Sequence, residues 1–155
     1  MDALDRKIIE LLTRDGRLSW ADLAAELKLS GPAAADRVRK LEQRGVIRGY
    51  AALIDPAAVG LGVTAFVAVR LAVARRREAL VKRMCALPGV LECHHVAGDD
   101  DYLLKVRVAD LRALERFVSD ELKVLDGIAG TRTTIALSTL KESVVPTLPA
   151  AEVKP

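Results

Sequence analysis

Three groups of residues in this 155-residue chain have types and spacings that can do chemistry. The first is Cys93, His94 and His95, followed closely by Asp99, Asp100 and Asp101, a mixture of metal-ligand and acid–base side chains. Adjacent residues on a strand point to opposite faces, so His94 and His95 cannot readily share a metal ion. No second ligand cluster with zinc-like spacing accompanies them. A cysteine beside a histidine can act as nucleophile and base, but no third residue that would orient the base is evident. We therefore expect no catalytic residue, no metal ligand and no cofactor. The second group can bind a small amphoteric molecule. Asp99 and Asp101 can accept from an ammonium, and Gly98 lets the backbone come close to a ligand. Thr131 and Thr133 share one face of a later strand, with Thr134 on the other, and can donate to a carboxylate. Plainer readings stand beside these: a solvated acidic turn for the aspartates, and strand propensity alone for the threonines.

The third group is a basic stripe in Leu29–Tyr50, LSGPAAADRVRKLEQRGVIRGY. Ser30 is a good N-cap because its hydroxyl can accept from a free backbone N–H of the first turn. Pro32 sits where a missing N–H costs nothing. At about 100° per residue, Ala34, Val38, Leu41 and Gly45 share one side of a helix. Ala33, Asp36, Arg37, Lys40 and Arg44 share the other. Gly31, Pro32 and Ala33 are small enough to let the backbone approach base edges, while the cations further along meet phosphates. From Arg37 to Arg48 there are five basic residues and one acid, Glu42. Taken alone, such a helix is equally an amphipathic helix with a solvated basic face.

Its neighbours tip the balance. A first helix runs from Ala3 to Arg14, capped by Asp2, with Leu4, Ile8, Leu11 and Leu12 inward and Gly16 as its stop. Ser19 opens a second, with Asp22 completing a capping-box pattern and Trp20, Leu23, Ala24 and Leu27 as its apolar stripe. A tight turn at Lys28 and Leu29 leads to the basic helix. Helix, short turn, helix with a basic outer face is a helix-turn-helix. The following VIRGYAALID is β-rich and bounded by turn formers, which predicts a wing or connecting strand. We place the DNA-binding domain at 1–54 and a linker, DPAAVGLG, at 55–62.

The second half has a different rhythm. Strands are predicted over Val63–Val73, Val90–Ala97, Tyr102–Val108 and Ile128–Leu140, and helices over Arg75–Leu87 and Leu111–Leu122, the last capped by Asp110. The order βαββαβ is a split βαβ of ferredoxin-like type, assigned to residues 63–141 with a tail at 142–155. Arg75, Arg76 and Arg77 oppose the macrodipole at a helix start, so they either have another partner or are solvated. The fold class is α+β, a winged helix-turn-helix followed by a ferredoxin-like domain.

Composition sets the limits. Hydrophobic residues make up 51% of the chain, enough for a core, and aromatics only 3%, so that core is aliphatic. The net charge of +3 tilts mildly towards anionic partners. The N-terminus is unlike a secretory signal, and no apolar run is long enough to span a membrane. Cys85 and Cys93 lack metal spacing and suit a reducing, cytoplasmic setting.

The whole chain resembles the Lrp/AsnC family, the leucine-responsive and asparagine-synthesis regulators of bacteria and archaea. The likeness begins at LDRKIIELLTRDGR and runs through DLAAELKLS, RVRKLEQRGVIRGYAALIDP and GLGVTAFVAVRL. It continues with LPGVLECHHVAGDDDYLLKVRV and ends at LDGIAGTRTTIALSTLK, covering about residues 4 to 141. The resemblance implies double-stranded DNA and an amino acid or related small metabolite as partners. It also implies sheet-paired homodimers that assemble into tetramers or octamers. It implies that the segment around Gly98, Asp99 and Asp101 lies next to an effector pocket between subunits. Two features depart from it: Asp36 puts an acid on the DNA-facing stripe, and Ala33-Ala34-Ala35 offers few hydrogen bonds for base readout.

Two function classes follow. One is a sequence-specific transcription regulator whose DNA binding or assembly responds to a small metabolite. The other is a small-molecule-binding module, or a regulatory domain, that does not bind DNA.

Overall fold

A computed structural model describes residues 1–72, 77–143 and 146. The chain divides into a helical unit, Met1–Leu53, and a sheet unit that begins at Ile54 and ends at Lys141.

The helical unit holds α1 (Ala3–Arg14), α2 (Trp20–Leu27) and α3 (Gly31–Gln43). Each starts at a side-chain cap. Asp2 accepts from the Asp5 backbone N–H at 2.8 Å while Asp5 reaches back to the Asp2 N–H. Ser19 accepts from Asp22 at 3.1 Å and Ser30 from Ala33 at 3.4 Å. Each cap satisfies a donor that the first helical turn leaves unpaired. The inward residues are Ile8, Leu23, Ala24, Leu27, Ala34, Val38 and Leu41, all buried, with Leu4, Leu11 and Leu12 packed around them. Burying a side chain of leucine size is worth about 1.5–3 kcal/mol, so this cluster is what holds three short helices together.

Three expectations need correction here. Trp20 is 53% exposed: as the first residue of α2 it lies past the end of the packed layer that Leu23 and Leu27 enter. Gly16 does not adopt a left-handed conformation; Asp15 caps α1 in extended backbone, and its carboxylate accepts from the Arg17 N–H at 2.8 Å. The left-handed residue that turns α2 into α3 is Lys28, φ 55°. The wing is not formed: Val46–Asp55 contains no strand. Strand backbone needs a neighbouring strand to exchange hydrogen bonds with, and no strand among the described residues pairs with this segment.

The sheet unit orders its elements as β1 (Val63–Leu71), α4 (Arg77–Cys85), β2 (Val90–His95), β3 (Tyr102–Val108), α5 (Leu111–Arg116) and β4 (Ile128–Ile135). Strand order is β2-β3-β1-β4 with every pairing antiparallel, the βαββαβ arrangement expected. α5 continues into a π-helical turn, Phe117–Leu122, marked by a Lys123 N–H bond to the Val118 carbonyl at 3.0 Å. One face of the sheet carries Ala65, Val67, Val69, Tyr102, Leu104 and Val106 into a core with Leu80 and Met84 of α4 and Leu114, Phe117 and Leu122 that follow β3. Alternation puts Thr64, Phe66, Ala68, Leu103, Lys105, Arg107, Glu92, His94, Arg132 and Thr134 on the other face. Phe66 is 37% exposed there.

The last strand stops at Ile135, short of Leu140, because its partner runs out. Ala65 is the last residue of β1 paired with it, and the Ala136 N–H makes a final bond to the Thr64 carbonyl. Val73, Arg75 and Arg76, which the expected strand and helix included, lie outside the described residues, as does most of the tail. No helix among the described residues is long and apolar enough to cross a membrane.

Candidate functional site

α3 carries the first set of predicted site residues on one surface. Asp5, Ala33, Asp36, Arg37, Lys40, Leu41 and Arg44 line an open recess beside the start of α1. Pro32 and Ala33 are exposed and Gly31 half-buried, with nothing within 4 Å of a side chain added at Gly31. A side chain added at Gly31 would therefore meet open space, and Pro32 stands in the first turn of α3. Ser30 is spent on the helix cap.

The cations differ in how free they are. Arg37 donates from Nη1 to Asp2 Oδ2 at 2.7 Å and to Asp5 Oδ1 at 2.9 Å. Arg44 lies 3.9 Å from the other Asp5 oxygen. Asp36 takes Lys40 at 2.7 Å and Arg39 at 3.6 Å. The hydrogen bond from Lys40 chiefly holds the Asp36 carboxyl below its ordinary range. The Asp5 N–H, then Arg37, do the same for Asp2. Asp2, followed by Asp5, raises the Arg37 guanidinium. Arg39, Lys40 and Arg44 stay mostly exposed on their long stems, whereas Arg37 is only 32% exposed. The stripe is thus less positive than its spelling suggests. Sequence reasoning identified Asp2 as a cap but missed it and Asp5 as partners of Arg37, because the pair spans over thirty positions and leaves no local pattern.

In the sheet unit the hairpin between β2 and β3 carries the second set. Gly98 has φ 147°, a conformation other residues rarely adopt, with open space where a side chain would be. Asp99 is exposed. Asp101 is not free: its Oδ2 accepts from the Leu71 N–H at 2.8 Å and its Oδ1 from Arg77 at 3.2 Å. Its own N–H donates to the Val69 carbonyl at 2.9 Å. Asp100, left out of the predicted set, pairs with Arg132 of β4 at 2.6 Å. Thr131 sits opposite Val69 and Thr133 opposite Val67, on the helix-bearing face. The C-terminal end of β1 therefore has the acidic hairpin on one side and Thr131 on the other. Thr133 is two positions further along.

For Arg77 the sequence left two readings open, another partner or solvation. Its guanidinium bonds Asp101 and lies 5.8 Å over the Tyr102 ring, so it has a partner and is not simply solvated. On the open face His94 pairs with Glu92, which also takes Lys105 at 2.9 Å. His95 packs on Tyr102 instead. No group of three His, Cys, Asp or Glu able to hold a metal occurs among the described residues.

A capped, basic helix-turn-helix in one unit and a split βαβ sheet with a polar hairpin in the other define a ligand-responsive DNA-binding regulator. Family models agree: an AsnC-type helix-turn-helix domain matches residues 1–42 and an Lrp/AsnC ligand binding domain matches residues 64–146. The chain belongs to the Lrp/AsnC family of transcriptional regulators. It is 36% identical to the leucine-responsive regulatory protein of Salmonella typhimurium over 148 residues, covering 92% of this chain and 88% of that protein. Among solved structures, it matches a transcriptional regulator from Neisseria meningitidis in complex with L-Met, with TM-score 0.88, 32% identity, and 95% and 96% of the two chains covered. It also matches the feast or famine regulatory protein of M. tuberculosis complexed with L-methionine, with TM-score 0.85, 37% identity, and 94% and 99% covered.

Proposed function

We propose that this protein is a sequence-specific regulator that reads DNA with α3 and responds to an amino acid or a closely related metabolite. The observation that carries the reading is the exposed N-terminal turn of α3, small and capped, leading into Lys40 and Arg44 within a helix-turn-helix. In this reading residues 1–54 bind DNA and 55–62 connect, while 63–141 bind the effector and assemble. Gly31, Pro32 and Ala33 approach the bases while Lys40 and Arg44 meet phosphates, and Asp36 orients Lys40. The L-methionine complexes of two neighbours support an amino acid as the effector class.

For the effector, the free carboxylate of Asp99 accepts the ammonium, Gly98 admits it, and the Thr131 and Thr133 hydroxyls serve the carboxylate. Asp101 holds the hairpin in place through Leu71 and Arg77. The protein is a homodimer paired through the helix-free sheet face, where Phe66 and Leu103 need cover, and dimers assemble further into tetramers or octamers. It works in the cytoplasm and catalyses no reaction.

A second reading rests on the pairing of Arg37 with Asp2 and Asp5, which lowers the positive field of α3: a metabolite-binding module that leaves DNA alone. Retention of the purified protein on its own upstream DNA, measured across salt, separates the two. Phosphate contacts release counterions, so DNA binding must weaken steeply as salt rises. Retention that is absent, or indifferent to salt, favours the second reading. A thermal-shift screen of the amino acids tests the effector, since a ligand that binds only the folded state raises its stability.

A further inference from the structure

Among the described residues Asp5 is the one charged residue that the fold buries. It belongs to the first turn of α1, yet it lines the recess on α3 together with Ala33, Arg37, Lys40 and Arg44. Its carboxylate is fixed from behind. Oδ2 accepts from the Asp2 N–H at 3.2 Å, while the Asp5 N–H donates to Asp2 Oδ1 at 2.8 Å. Two arginines of α3 then converge on it. Arg37 Nη1 donates to Oδ1 at 2.9 Å, and Arg44 Nη1 lies 3.9 Å from Oδ2. Seven positions separate these arginines, about two helical turns, so they leave α3 on the same side. Arg37 Nη1 also bonds Asp2 Oδ2 at 2.7 Å. Asp2 is exposed, where solvent screens an ion pair, so the buried acid is the firmer anchor.

We propose that Asp5 is a positioning residue for DNA binding: it aims the Arg37 guanidinium and draws Arg44 to the same point, so that α3 meets phosphates with its arginines already ordered. The role rests on the reading in which α3 faces DNA. Both acids bond the same Arg37 nitrogen, which leaves Nε and Nη2 as donors for phosphate oxygens. A planar guanidinium held at one nitrogen presents the others in a fixed direction, and a lysine ammonium does not. Long side chains lose conformational freedom when they dock, so an arginine ordered in the free protein has less to lose. The charge of Asp5 also works against DNA, because it lowers the positive field of α3. Aim and field therefore predict opposite signs when that charge is removed.

The test titrates the full-length protein against a labelled duplex of its own upstream DNA by fluorescence anisotropy across salt, with a circular dichroism melt of each variant. Asp5→Asn keeps the size of the side chain and removes its charge. Were field alone at work, binding would tighten. Expected instead is a loss of about tenfold, the scale of one good contact, with the slope of log affinity against log salt shallower by about one. Arg37→Lys keeps the charge on α3 and leaves Asp5 an ion-pair partner, so it decides alone where Asp5→Asn does not fold. It should lose binding by a similar factor while melting close to wild type. An Asp5→Asn protein that binds as tightly as wild type or more so, or an Arg37→Lys protein that binds like wild type, overturns the positioning role and leaves the DNA reading standing. A wild type whose retention on DNA ignores salt overturns both.

Discussion

Arg37 of α3 binds Asp5 of α1 at 2.9 Å and, through the same nitrogen, Asp2 at 2.7 Å. One of the cations expected on the DNA-facing stripe is therefore also the clasp between the first and third helices. Asp5 has only 13% of its side chain exposed, so removing its partner leaves a largely desolvated carboxylate. Arg37→Ala should lower the melting temperature of the helical unit as well as weaken DNA binding, whereas Lys40→Ala should leave melting unchanged. Circular dichroism melts of the two variants against wild type make the comparison.

Lys40→Ala isolates DNA contact from folding. Its side chain is 65% exposed and its protein partner is Asp36. We expect about a tenfold loss of affinity for the operator, the scale of one good contact, and a shallower salt dependence. Fluorescence anisotropy with labelled operator at several salt concentrations measures both.

The Asp2 cap gives a pH dependence. Its carboxyl is held below its ordinary value of 3.8, first by the Asp5 N–H and then by Arg37. A carboxyl depressed in the folded state stabilises fully above its unfolded pKa, and that contribution disappears as pH falls through the folded one. The helical unit should lose stability on acidification below about pH 4. Asn is also a good N-cap, so Asp2→Asn should keep the helix start but flatten this acid response. Melts taken across that range would show it.

Core and turn changes in the helical unit have opposite signs. Leu41 is fully buried, and Leu41→Ala should cost about 2–5 kcal/mol through lost burial and a cavity. Lys28 sits at φ 55°, where a side chain is strained; Lys28→Gly should gain about 0.5–1 kcal/mol after glycine's own entropy is counted. Urea titrations of both variants give the numbers.

In the sheet unit, Asp99 and Asp101 should separate ligand contact from scaffolding. Asp99→Asn should cut affinity for an amino acid found by thermal screening while leaving stability intact. Asp101→Asn should lower stability too, because it surrenders the charge on Arg77. Calorimetric titration beside a melt tells the two apart; equal ligand affinity in both variants and wild type moves the effector site elsewhere.

Much of this was legible because it is local. Caps at Asp2, Ser19, Ser30 and Asp110, apolar stripes such as Ala34–Val38–Leu41, and the alternating order of strands and helices all depend on residues a few positions apart. What escaped depends on partners brought from afar. The Arg37–Asp5 clasp and the Arg77–Asp101 bond are set by packing, with no sequence pattern to announce them. Strand length belongs in the same class: threonine-rich residues up to Leu140 have strand propensity, yet β4 ends where β1 stops offering hydrogen bonds. Val46–Asp55 is the extreme case, β-rich in composition but with no strand partner among the described residues. Trp20 shows that an apolar stripe says which way a residue points and not how far the core extends.

The π-helical turn from Phe117 to Leu122 has a consequence for chain length. With ordinary α spacing, residues five apart would be about 140° out of alignment, yet Phe117 and Leu122 both reach the core, at 2% and 0% exposure. The wide turn has absorbed one surplus residue and returned the helix to phase. A protein with one residue fewer here could run a plain α-helix through the same place, aim both ends at the same neighbours, and keep β4 in register. Length variation within a helix, normally ruinous to an apolar face, is tolerable at this point.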